Sequence, residues 1–470
     1  MKPPIDLTMT EATGPAAEAP ELNPYPSSGY AWYVVAVLTL AYIFSFIDRQ
    51  VLNLMVGPIQ KDLGINDFQM GLLIGPSFAV FYTLFGIPLG RLADTRSRRA
   101  IISVGIALWS VMTAGCGLTK TFWQLALMRM GVGVGEASLS PSAYSLISDY
   151  FRPERRSTAM SVYSMGIYIG SGLAFLLGGF IVQLAAGNET TTVPWIGPVR
   201  PWQLVFLLVG LPGLLISLLL LTVREPVRKG ARLKADGSAI QVPTGRAVWS
   251  YIRTNSATFL CLTLGTGLVA LYGYGAYAWI PVMLARRYGW TLGQIGPVFG
   301  LIVGIGGTLG IVTGGRLADW LRPRGRVDSD MRIALWAAAA ALPFVVLFPL
   351  SPSGNLAAAL LVPVVFLMSM PFGVAPAAIQ QMMPNTMRAQ ATAVYLFVIN
   401  LVGIGLGPLI VAALTEKVFH DPKAVHLSLL IVGAVSFAFA IALLWAGLRP
   451  YRDSLLYLKR FDQADTSLLE

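Results

Sequence analysis

The chain has 470 residues, of which 55% are hydrophobic and 12% are charged; with a mean hydropathy of +0.66 it has too little charge to cover a soluble protein of this size. A formal net charge of +11 would suit nucleic acid if it lay on one face, but the bases sit in short loops between apolar blocks, which excludes that partner. Those blocks are about 20 residues long, enough to cross a ~30 Å hydrocarbon core, so the chain reads as a polytopic α-helical membrane protein.

Residues 1–29 are rich in Pro, Glu and Ala and lack the basic start and apolar core of a signal peptide, so a disordered tail is expected there. The first six apolar blocks are 31–56, 68–90, 100–118, 122–147, 159–184 and 203–223, and the second six are 255–283, 291–315, 332–350, 355–380, 391–415 and 425–447. They predict twelve transmembrane helices in two six-helix bundles, 30–223 and 255–448. Between them lies a basic linker at 224–254, and beyond them a tail at 449–470. In that tail Leu455, Leu458 and Phe461 share a stripe beside Arg452, Lys459 and Arg460, as in an interfacial helix.

The bases cluster at one end of this threading. "RLADTRSRR" (91–99), "DYFRPERRS" (149–157), the linker and "RLADWLRPRGRVDSDMR" (316–332) are arginine-rich, while the loops of the other end are nearly bare. The positive-inside rule makes the basic loops and both termini cytoplasmic, with the cell (inner) membrane as the expected location. The halves also echo each other. "GRLAD" recurs at 90–94 and 315–319, directly after a Gly-rich span in each half, as duplication with parallel repeats would leave it.

Four ionisable residues fall deep in the apolar blocks: Asp48 and Arg49 in helix 1, Arg129 and Glu136 in helix 4. Each costs at least ~2.5 kcal/mol at the bilayer centre, so partners or a wet cavity are expected. Counting 1.5 Å per residue from the helix ends puts Asp48 level with Arg129, within reach of an ion pair, and Glu136 near Tyr42 and Ser45. Arg129 and Glu136 are seven apart and share a stripe. Gly131, Gly135 and Ser138 occupy the opposite one, where they read as a close helix contact rather than a phosphate loop. The set of two acids and two bases is formally neutral, so one added proton would rearrange its pairing. Glu136 is the first candidate for the titrating group and Asp48 the second.

The second half has no deep charges. It offers "LYGYGAYAWIP" (271–281) and "SMPFGVAPAAIQ" (369–380) instead. Tyr272, Tyr274, Tyr277, Trp279 and Pro371, with Tyr42 and Ser45, are the residues expected to line a central cavity. Ionic chemistry in one half and aromatic surface in the other suits an amphiphilic, lipid-like or drug-like molecule. Cys116 and Cys261 read as buried bystanders, and His420 and His426 have no companion ligands, so no metal and no cofactor other than protons is expected. No P-loop, metal cluster or nucleophile–base set points to an enzyme.

The loop at 90–99 resembles the signature of the major facilitator superfamily, Gly-x-x-x-Asp, a base, x, Gly, then two bases. Gly90, Asp94, Arg98 and Arg99 match, while Thr95 and Ser97 depart from it. Within that superfamily, "FIDRQVLNLMVGPIQKDLGINDFQMGLL" and "RMGVGVGEASLSPSAYSLISDYF" resemble the Spinster group of lipid transporters. The resemblance implies a proton-coupled carrier working by alternating access as a monomer, with a lysolipid or similar amphiphile as cargo exchanged for protons. It also implies a cytoplasmic gate in which Asp94 pairs Arg152, Arg155 or Arg156, with Gly90 and Arg98 shaping the loop and Asp319 in the mirrored place. Organic-anion (sugar-acid type) symporters share the Asp-Arg and Gly-Glu pairs and are the alternative reading. A non-transporting membrane sensor is the alternative of another class.

Overall fold

In a computed structural model the described residues are 26–184, 190–226, 245–384 and 387–467. Most of the segment expected to be a disordered tail, and 227–244 of the linker, lie outside them. Eleven helices are long and apolar enough to cross a membrane among the described residues: Ser28–Leu54, Asp67–Ala93, Arg98–Cys116, Thr158–Leu184, Pro201–Leu220, Ser256–Tyr288, Leu292–Arg324, Ser329–Leu350, Gly354–Met382, Gln390–Val418 and Pro422–Arg460. The remaining crossing is bipartite, Phe122–Glu136 and Leu139–Tyr150. Counted in chain order these are helices 1 to 12, with the bipartite one as helix 4.

The interruption in helix 4 has a local cause. Pro141 has no N–H for the carbonyl one turn back, and the backbone answers with a tighter turn, Ser138 N donating to Gly135 O at 3.2 Å. Helix 2 breaks for a related reason. Gly75 precedes Pro76, which disfavours helical geometry in the residue before it, and Gly75 sits at φ −92°, ψ −92° between Asp67–Ile74 and Pro76–Thr95. Helices 8 and 11 contain wider π turns, at Ile302–Gly306 and Leu401–Leu406.

Three features depart from the sequence reading. Residues Gly245–Thr254 of the expected linker are helical, with Val248, Tyr251 and Ile252 buried. The expected separate tail helix is the uninterrupted end of helix 12, which runs from Val425 to Ser467 through Pro450. A two-stranded antiparallel hairpin, Thr191–Val193 with Gly197–Val199, lies between helices 5 and 6, in a stretch to which the sequence assigned no element.

Helices 1–6 and 7–12 form the two bundles, and the way they meet is uneven. Small residues set the closest approaches: Gly71 to Ala412, Gly75 to Gly405, Gly172 to Gly300 and Gly304, and Gly179 to Gly296. Phe175 and Phe299 pack edge to face between the two glycine-rich stretches of helices 5 and 8, with centroids 4.8 Å apart. All of these lie in the half of each helix remote from the basic loops. Toward the basic end Gly90 meets only Pro141 of its own bundle, and Gly315 meets nothing within 4 Å. The bundles are closed against each other at the far end, and Gly90 and Gly315 have no such partner across the interface.

Candidate functional site

Helix 1 carries an unbroken run of buried residues from Ser45 to Leu54, including Asp48, Arg49, Gln50 and Asn53. Ser45 and Arg49 are one helical turn apart, so both present to helix 4. There Arg49 Nη2 lies 2.5 Å from Glu136 Oε2, and Ser45 Oγ donates to the same oxygen at 2.8 Å. The pair is out of water, the side chains being 9% and 0% exposed. Aromatic faces surround the guanidinium: Phe46 at 4.7 Å, Phe78 at 4.5 Å and Tyr82 at 5.1 Å. Phe78 also faces Arg129, at 5.4 Å, so both guanidiniums lie against one ring.

The expected Asp48–Arg129 ion pair does not form. Asp48 follows Ser45 and precedes Arg49 by one residue, so its side chain turns about 100° away from Arg49 and toward helix 3, where Thr113 Oγ1 donates to Oδ2 at 3.3 Å. Arg129 Nη1 instead donates to the backbone carbonyl of Asp48 at 3.4 Å. Among the described residues Asp48 Oδ1, Glu136 Oε1, and Nε and Nη2 of Arg129 make no hydrogen bond. The direct partner of Glu136 is Arg49, and among the described residues no basic side chain pairs directly with the Asp48 carboxylate.

The glycines of helix 4 pack. A methyl group at Gly131 would strike Met112, and one at Gly135 would lie 2.8 Å from Gly105 O and from Trp109 of helix 3. Gly133 does the same on another side, 2.6 Å from Phe78 O of helix 2. That approach fixes the ring lying between the two arginines.

Tyrosines gather beside the ion pair. Tyr42 stacks on Tyr163 of helix 5 at 4.4 Å and 5°, and Tyr144 meets Tyr163 edge-on at 5.3 Å. Tyr42, Tyr82 and Tyr144 are half-buried, as is Tyr274, which lies against Gly403 of helix 11. Tyr277 is nearly buried, its ring edge-on to Phe299 at 6.1 Å. Pro371 is buried in helix 10, which is helical through it. Tyr272 and Trp279 do not line the space between the bundles. Tyr272 is fully buried against Phe437 of helix 12, and Trp279 donates from Nε1 to Pro408 O of helix 11 at 2.9 Å. Phe78, Tyr82, Thr113, Tyr144 and Tyr163 escaped the sequence reading. The Phe78/Tyr82 spacing of four was the available signal.

At the basic end, Arg98, expected to shape the gate loop, lies in the core of the first bundle. It is 1% exposed, pairing Asp149 at 2.5 Å and Glu225 at 2.8 Å and donating to Ser145 Oγ, so it ties the ends of helices 3, 4 and 6 within one bundle. Burial pushes the Glu225 carboxyl up, but the Arg99 backbone N–H, the Arg98 guanidinium and Ser97 outweigh it and hold it below the ordinary carboxylate range. Arg152 and Arg155 are exposed. The side chains of Asp94 and Arg156 lie outside the described residues. Asp319 is 75% exposed and meets Arg322 of its own helix at 3.2 Å. The second bundle's counterpart of the Arg98 cluster is Asp328, which pairs Arg332 at 2.7 Å and Arg452 at 2.6 Å.

A family model described as Major Facilitator Superfamily matches residues 38–408. This chain belongs to the major facilitator superfamily. Among members of known name it is similar to an "MFS-type efflux pump" of Mycolicibacterium smegmatis, 31% identical over 433 residues, spanning 90% of this chain and 94% of that one. It is also similar to the "Sphingosine-1-phosphate transporter SPNS2" of Mus musculus, 30% identical over 330 residues, 67% of this chain and 56% of that one. In three dimensions it matches a crystal structure of a bacterial homolog to the human lysosomal transporter Spinster, in an inward-facing and unoccupied conformation. The TM-score is 0.74 at 28% identity, over 92% of this chain and 99% of that one. Within the superfamily the chain is a Spinster-type, multi-pass membrane transporter and not an enzyme.

Proposed function

We propose that this chain is a proton-coupled exporter that exchanges protons for an amphiphilic, lipid-like or drug-like molecule by alternating access. The observation that carries the reading is the buried Arg49–Glu136 pair beside an Asp48 carboxylate whose side-chain hydrogen bond comes from Thr113 rather than from a base. Two carboxylates in one dry site, sharing guanidiniums unequally, cannot both keep their charge cheaply as the bundles move. A proton taken by one of them changes which contacts hold helix 1 to helix 4. The half-buried tyrosines beside the pair offer apolar faces with polar tips, a match for a head group joined to a chain. Relatives named as an efflux pump and as a sphingosine-1-phosphate transporter support the same cargo class and direction.

On this reading the end that carries the basic loops faces the cytoplasm, in a cell membrane, as the positive-inside rule favours. The expected gate then involves Asp94 with the arginines at 152–156, closing when the far end opens. Organic-anion symport needs a guanidinium free for a carboxylate, but Glu136 holds Arg49, and Arg129 is 1% exposed. The deciding experiment is proton flux in proteoliposomes under a pH gradient, with lysolipids tested against small carboxylates. Lysolipid-dependent flux is expected; flux driven by small carboxylates alone would overturn the cargo, and flux from neither the coupling.

A further inference from the structure

The end of the molecule remote from the basic loops is joined by charges as well as by glycines. Asp67 is the first residue of helix 2 and belongs to the first bundle; Arg286 is in the last turn of helix 7 and belongs to the second. Arg286 grips Asp67 with both terminal nitrogens, Nη1 to Oδ2 at 2.7 Å and Nη2 to Oδ1 at 2.7 Å. This two-pronged geometry is the strong form of the contact. Gln60 completes a triangle, accepting from Arg286 at 2.9 Å and donating to Asp67 at 2.6 Å. A second crossing contact lies one residue on: the Phe68 N–H at the start of helix 2 donates to Glu416 Oε2 of helix 11 at 2.8 Å. An acid at a helix N-terminus is favoured by the helix dipole, and here it comes from the other bundle. Lys417 Nζ then lies 3.8 Å from the centre of the Phe68 ring. A recess of about 480 Å³ borders this cluster, lined in part by Lys61, His420 and Asp421.

We infer that Asp67–Arg286 and Glu416 on the helix 2 terminus form an ionic latch that holds the far face closed, and that both contacts must break before that face opens. Asp67 is 6% exposed on its side chain and Arg286 21%. Removing one partner therefore strands a largely buried charge and penalises the closed state specifically. The latch rests on the reading of the chain as a transporter whose bundles rock, and is independent of protons and cargo.

The test places one cysteine at Leu409, whose backbone abuts Gly71 across the bundle interface, in a background with Cys116→Ser and Cys261→Ser. Labelling by a bulky, charged maleimide is followed in nanodiscs without cargo at one pH. Asp67→Asn and Arg286→Gln should each raise the labelling rate roughly fivefold, the lower end for a single coupling between two states. Together they should add little to either alone, and Asp67→Arg with Arg286→Asp should return the rate toward its starting value. Glu416→Gln serves if the first variants fail to fold. Unchanged labelling in folded single variants overturns the latch, whatever the liposome flux shows.

Discussion

Arg49 and Glu136 meet at 2.5 Å between helices 1 and 4, and a single carboxylate oxygen takes both the guanidinium and the Ser45 hydroxyl. The other oxygen, Oε1, has no protein donor among the described residues. The carboxylate is therefore anchored at one atom and makes no hydrogen bond at the other.

Glu136→Gln keeps the shape and removes the ionisable carboxyl. Proton-driven transport should fall by roughly 100-fold, the ordinary size for loss of a positioned proton-transfer group, while the protein still elutes as a folded species. Flux measured with an internal pH dye checks it. Undiminished gradient dependence would move the role to Asp48.

The two tyrosines that flank Gly273 should behave differently. Tyr274 is half-buried beside Gly403, and Tyr274→Ala should raise the apparent KM for an amphiphile. Tyr272→Phe, buried against Phe437, should leave KM alone. Trp279→Phe should also leave KM unchanged but lower stability by about 1 kcal/mol, the usual worth of one hydrogen bond, because Pro408 O loses its donor. Transport assays and thermal unfolding in detergent separate the three.

Gly135 has no room for a side chain, its would-be methyl lying 2.8 Å from Gly105 O. Gly135→Ala should destabilise the first bundle by ~1–3 kcal/mol, as overpacking does. Gly57, with nothing within 4 Å, is the matched control. Equal melting temperatures for the two alanine variants would refute the close contact.

Asp328 supplies a pH-dependent contribution. Burial raises its carboxyl, yet Arg332 and Arg452 outweigh that and hold it below the ordinary aspartate value. An acid lowered in the folded state stabilises fully above its unfolded pKa of ~3.9 and loses that contribution as pH falls from there through the folded value. Asp328→Asn should therefore lower the melting temperature at pH 7, and the difference should shrink below about pH 4. A difference constant with pH would assign the residue to packing alone.

Much of this was legible in the residues. Crossings announce themselves as apolar blocks, because lipid permits few other arrangements. In helix 4 the 100° turn per residue separated Arg129 and Glu136 from Gly131 and Gly135 correctly. Helix 7 gave no such guidance. From Tyr277 to Leu284 every residue is buried, so no polar face marks which tyrosine looks inward, and Tyr272 and Trp279 were misplaced. Asp48 was misdirected because depth counting gives height along the axis but not azimuth. Arg98 lies in a loop by sequence and in a core by structure, because Asp149 and Glu225 come from turns 51 and 127 residues away. The far-end latch was invisible for the same reason: Asp67, Arg286 and Glu416 each look like ordinary helix-end charges until the bundles are brought together.

Helix 12 is 43 residues long, about 65 Å at 1.5 Å per residue, roughly twice the thickness of the hydrocarbon layer. Its projecting turns are pinned to helix 9 by Arg452 and Asp328. They act as a stiff pointer fixed to the second bundle: when that bundle tilts, the tip sweeps an arc several times larger than the motion at the pivot. A dye at exposed Leu456 would thus turn a small rotation inside the bilayer into an easily read displacement outside it.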